Sequence, residues 1–79
     1  MDHKETLKSF GEHLRKIRES KGISQENLGE LADIDRTYIS SVERGKRNVS
    51  IINICKLAKA LKITPSALLD FPKDHGVDE

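Results

Sequence analysis

Apolar residues recur along this chain at helical intervals. Between Thr6 and about Lys21 they fall at Leu7, Phe10, Leu14 and Ile17, with charged residues between them. Steps of three and four place them on one face of an amphipathic helix. Lys21-Gly22 closes it, with Gly22 free to take the left-handed cap conformation. Residues 2–5 are polar and read as a frayed lead-in. Ser24 is an N-cap for a second helix, about Gln25 to Ala32, whose apolar residues are Leu28, Leu31 and Ala32. Gly29 in its middle costs about 1 kcal/mol relative to alanine, so it predicts that another helix approaches closely there. Asp33-Ile34-Asp35 interrupts the pattern. Asp35 caps a third helix, about Arg36 to Arg44, which ends at Gly45 and turns Ile39 and Val42 inward. Lys46-Arg47-Asn48 is a polar loop. Ser50 caps a fourth helix, about Ile51 to Leu61, with Ile54, Leu57, Ala58 and Leu61 inward. Thr64-Pro65 starts a fifth, about Pro65 to Leu69. Phe71 lies beyond it, and residues 72–79 form a loose acidic tail. No segment alternates as a strand does. The expected fold is all-α: five helices in a single domain spanning 1–79, with its core over 7–69.

Composition narrows this further. A 79-residue domain has a thin stability margin unless something reinforces it. Cys55 is the one cysteine, so no intrachain disulfide forms. His3, His13 and His75 lack ligand spacing, and neither a structural zinc nor any other cofactor is expected. Helix packing and self-association are what remain. Ile51, Ile52, Cys55, Leu68, Leu69 and Phe71 exceed what a core this small hides, and they are the candidates for a twofold interface. There is no signal sequence and no apolar run of membrane-spanning length, and a lone cysteine fits a reducing compartment. A cytoplasmic protein that does not engage membranes is expected.

The near-neutral total of +1 hides an asymmetry. Residues 1–35 are net −2, residues 36–62 net +6, and residues 63–79 net −3. A positive middle between acidic flanks predicts a local anion-binding face.

That middle begins on the third helix. With Ile39 and Val42 inward, Arg36, Thr37, Ser40, Ser41 and Arg44 are left pointing away from the core. Short polar side chains let a helix sink into a groove. The Arg36 fork matches the O6/N7 edge of guanine, while Ser and Thr suit either base type or a phosphate. Gln25, at the start of the second helix, is placed to meet a phosphate with help from the helix dipole. No acid–base pair, nucleophile or metal constellation is legible, so an enzyme is not expected.

The stretch 24–44 resembles the helix-turn-helix of the phage repressor/Cro (Xre) family. The matching residues are Gln25, Leu28, Gly29, Ala32, Ile34, Ile39 and Val42. Asp33 departs from the pattern, which usually has glycine in the turn. The resemblance covers about residues 7–69. The strings Asp35-Arg36-Thr37-Tyr38-Ile39-Ser40, Val42-Glu43-Arg44-Gly45 and Arg47-Asn48-Val49-Ser50 are further similar to controller proteins of restriction–modification systems. The resemblance implies that Arg36, Thr37 and Ser41 read base edges. Gln25, Tyr38, Ser40, Arg47 and Asn48 would sit at or beside the backbone, although Tyr38 equally fits a core edge. Glu43 would pair with a basic residue inside the fold. The implied function is transcriptional regulation as a homodimer on a pseudo-palindromic double-stranded DNA operator, with the transcription machinery as a further partner. The alternative is an antitoxin-like or phage-type regulator whose main partner is another protein.

Overall fold

The computed structural model describes residues 2–72. Among these, the elements in order are α1 (His3–Ser20), α2 (Gln25–Ala32), α3 (Arg36–Glu43), α4 (Ile51–Leu61) and α5 (Pro65–Leu68). The acidic tail, from residue 73 on, lies outside the described residues. α1 packs on α3, α2 on both α3 and α4, and α4 on α5. Leu14, Leu28, Ile39, Leu57, Leu61 and Leu68 are completely buried where these helices meet.

α1 begins earlier than the apolar pattern suggests. Residues 2–5 are not frayed. The Asp2 carboxylate accepts from the Glu5 backbone N–H at 2.7 Å, and the Thr6 hydroxyl donates to the Asp2 carbonyl at 3.0 Å. An aspartate N-cap adds a first turn that carries no apolar residue to reveal it.

Four of the helices end in one way. Gly22, Asp33, Gly45 and Lys62 each adopt positive φ. The next backbone N–H then reaches back to a carbonyl five residues earlier: Ile23 to Arg18, Ile34 to Gly29, Lys46 to Ser41 and Ile63 to Ala58, at 2.9–3.2 Å. This is the left-handed cap with its six-to-one hydrogen bond. Three of the four place an isoleucine after the cap, and Ile23, Ile34 and Ile63 all pack on the core. Each isoleucine is followed at once by the N-cap of the next helix, Ser24, Asp35 or Thr64. A three-residue device of left-handed cap, apolar plug and N-cap thus turns the chain three times. Two of the left-handed positions carry a side chain, where that backbone costs roughly 1–2 kcal/mol. Lys62→Gly is expected to stabilise the fold by about 0.5–1 kcal/mol, and Asp33→Gly by less, since aspartate tolerates the conformation better. Urea denaturation midpoints test the order.

Two close approaches set the helix angles. A Cβ on Gly29 would stand 2.6 Å from the Ile34 carbonyl oxygen, so the backbone entering α3 lies directly on α2. Gly11 of α1 does the same for α3: a Cβ there would collide with the Val42 carbonyl oxygen and stand 2.8 Å from that of Glu43. Leu31, by contrast, is 62% exposed. Leu28 and Ala32, one turn apart, occupy the inward side of α2 and leave Leu31 outside it.

At the other end of the molecule a His13 ring nitrogen lies 3.1 Å from the Ala67 carbonyl, tying α1 to α5. Phe71 sits edge-on to Phe10, ring centroids 5.8 Å apart. Leu68, expected at a twofold interface, is wholly buried. α5 docks its single inward side chain into the core, so this residue is unavailable to a second copy.

Candidate nucleic-acid interface

α3 is held by a buried polar network. Arg18, at the end of α1, donates from Nε to Glu43 Oε2 at 2.6 Å and from Nη2 to Oε1 at 3.0 Å. Its Nη1 donates to the Ile23 carbonyl at 2.8 Å, inside the α1–α2 turn. Gln25 Nε2, at the start of α2, donates to the same Glu43 Oε1 at 3.0 Å. One carboxylate therefore joins three helices. The hydrogen bond to Glu43 raises the Arg18 pKa; burial opposes this, and the charges of Glu43 and Glu19 add to it. A glutamate in the last turn of a helix faces the negative end of its dipole, so Glu43 sits there because Arg18 compensates it. The pairing of Glu43 with a basic residue is as the resemblance implied. Arg18 itself was not legible as its partner, although it continues the Phe10–Leu14 stripe by one more step of four.

The outward face of α3 follows from its period. Arg36, Ser40, Arg44 and Thr37 fall within an arc of roughly 100°. Arg36, Thr37 and Arg44 are exposed and Ser40 half-exposed. Ser41 departs from the expectation that it points away from the core: it is 8% exposed. It lies about 40° beyond that arc, on the way round to Tyr38. Its hydroxyl donates to the Thr37 carbonyl at 3.0 Å, and Arg44 reaches over it at 3.5 Å. Gln25 also differs from a free surface amide, since its Nε2 is engaged by Glu43. Tyr38 is half-buried on the flank of α3, and the Arg47 guanidinium lies over its ring, 5.3 Å from the centroid. Lys46, Arg47 and Asn48 are all exposed on the loop after α3.

A second surface lies on α4 and α5. Ile51, Ile52 and Leu69 are 67%, 63% and 38% exposed, and Cys55 is exposed as well. Ile51 and Leu69 border an apolar groove of about 210 Å³ floored by Phe10, Val49 and Ile54. Phe71 lines the same groove but is half-buried. Among the described residues, no helix is long and apolar enough to cross a membrane.

A polar, arginine-bearing helix packed closely on α2 at Gly29, next to a basic loop, defines a helix-turn-helix DNA-binding regulator. The helix-turn-helix family matches residues 14–68. The chain is 56% identical over 63 residues to the control protein C.BamHI of Bacillus amyloliquefaciens, covering 78% of each. The crystal structure of the restriction–modification controller protein C.AhdI from Aeromonas hydrophila superposes with a TM-score of 0.77 at 55% identity, over 78% of this chain and 94% of that one. The biofilm regulator SinR, solved in complex with DNA, gives 0.73 at 34% identity, over 77% and 98%. The chain belongs to the Xre/Cro-like helix-turn-helix family of DNA-binding transcriptional regulators, a family of regulators rather than enzymes, and its likeness within it is to restriction–modification controller proteins.

Proposed function

We propose that this protein is the controller of a restriction–modification system, acting in the cytoplasm as a homodimer on a pseudo-palindromic operator. The exposed Arg36–Thr37–Ser40–Arg44 face of α3 carries the reading. Each subunit lays α3 in a major groove, with half-sites about 10 bp apart or a multiple of it. Arg36 and Thr37 read base edges. Gln25, Tyr38, Ser40, Arg47 and Asn48 flank them at the sugar–phosphate backbone, and Ser41 serves the helix edge instead. Ile51, Ile52, Cys55 and Leu69 form the contact between copies, with Phe71 at its rim. Bound beside a promoter, the dimer meets the transcription machinery.

Footprinting on the chain's own upstream region, at a stated salt concentration, tests the operator. Arg36→Ala is expected to weaken binding to the protected site by about 1–3 kcal/mol while leaving binding to random duplex largely intact. Equal losses on both would make Arg36 a phosphate contact.

A further inference from the structure

Arg47 is exposed, and among the described residues no hydrogen bond or ion pair holds it. Its guanidinium instead lies over the Tyr38 ring, 5.3 Å from the centroid. The backbone that carries Arg47 is pinned on both sides. The Lys46 N–H donates to the Ser41 carbonyl at 2.9 Å, and Val49 packs on the core. The direction of the side chain is thus set by one contact, an aromatic face on the flank of α3. An unrestrained arginine loses its rotamer freedom when it grips a phosphate, and a stacked one has lost part of it already.

We propose that Tyr38 is a positioning residue whose ring holds the Arg47 guanidinium ready for a DNA phosphate beside the groove that α3 enters. This rests on the DNA-binding reading of α3. The ring does the positioning, whatever its hydroxyl contacts. Tyr38 therefore acts on the electrostatics of binding without carrying a charge.

The test is a double-mutant cycle on the full chain, titrated onto a duplex of its own upstream region over a range of salt. Arg47→Ala should lower the salt dependence by the equivalent of one phosphate contact, a slope change of about 0.9. Tyr38→Leu should lower it in the same direction, although it removes no charge. The Tyr38→Leu/Arg47→Ala double variant should lose less than the two single losses combined, by a coupling of about two- to fivefold in affinity. Tyr38→Phe should keep that coupling, since its ring remains. A second readout does not depend on how Tyr38→Leu folds. Tyr38 is the single tyrosine and there is no tryptophan, so the near-ultraviolet circular dichroism of the free protein reports this ring. Arg47→Ala should change that band.

An unchanged band overturns the proposal, as do additive losses with the Tyr38→Leu salt slope at the wild-type value. In either case the Arg36→Ala result stands and the DNA reading survives. A wild-type chain that binds no duplex overturns both.

Discussion

Glu43→Ala is expected to remove about 3–5 kcal/mol of folding stability, the penalty for leaving a buried charge without its partner. The Arg18 side chain is 10% exposed and that of Glu43 4%. Without Glu43, the Arg18 guanidinium keeps the Ile23 carbonyl and a looser pairing with the half-exposed Glu19 carboxylate, 4.0 Å from Nη2. A domain of this size holds on the order of 4–12 kcal/mol in total, so the variant should be largely unfolded on modest warming. Arg18→Met should cost a similar amount, because Gln25 alone cannot neutralise Glu43. Combining Arg18→Met with Glu43→Leu should recover much of the loss, since an apolar pair of similar volume replaces a buried ion pair at little net cost. Urea denaturation of the four proteins, followed by circular dichroism, gives the cycle. Single variants within 1 kcal/mol of wild type would show that water reaches the pair and that it does not hold α3.

What the sequence disclosed follows from which interactions have periodic or compositional signatures. α2 and α4 are bounded by Ser24 and Ser50, side chains that do one thing well at a helix start, and their limits are those the caps indicated. Gly22 and Gly45 announce left-handed backbone because glycine is the usual occupant. Lys62 takes the same conformation with nothing in its chemistry to mark it; the tertiary docking of Ile63 imposes it. Gly29 stood out inside the helix-turn-helix, whereas Gly11 did not, because its neighbour is a carbonyl more than thirty positions away.

The candidate interface divides in the same way. Thr37 is exposed because it lies on the side of α3 opposite Ile39 and Val42, which a helical period conveys, and Arg36, three residues before Ile39, is exposed because it is the first residue of the helix. Ser41 lies near the border of that face, where the period alone cannot separate outside from inside and the overlying Arg44 tips the balance. Gln25 was readable as a residue at a helix start but not as a donor to Glu43, since the two come together only through the crossing of α2 and α3. The Tyr38–Arg47 stack is likewise invisible without the loop geometry.

Leu68→Ala is expected to cost about 2–5 kcal/mol of folding stability, the range for truncating a fully buried leucine. α5 has four residues, too few for a period to show which of its apolar side chains point inward. Leu68 and Leu69 therefore look alike in sequence, yet the first is completely buried and the second 38% exposed. The two belong to different energetic terms. Leu68 holds α5 against the core, and Leu69 stands outside it with Ile51 at the edge of the apolar groove. Ile51→Ser combined with Ile52→Ser removes apolar surface that is already in water in the isolated chain, so monomer stability should move by only about 0.5 kcal/mol per site. The same change should shift the dimer toward monomer in sedimentation equilibrium and weaken operator binding in a concentration-dependent way. Urea midpoints and sedimentation on both variants separate fold from assembly. A Leu68→Ala protein with a wild-type midpoint that no longer dimerises would return Leu68 to the interface. An Ile51→Ser/Ile52→Ser protein that stays fully dimeric would place the twofold contact on another face.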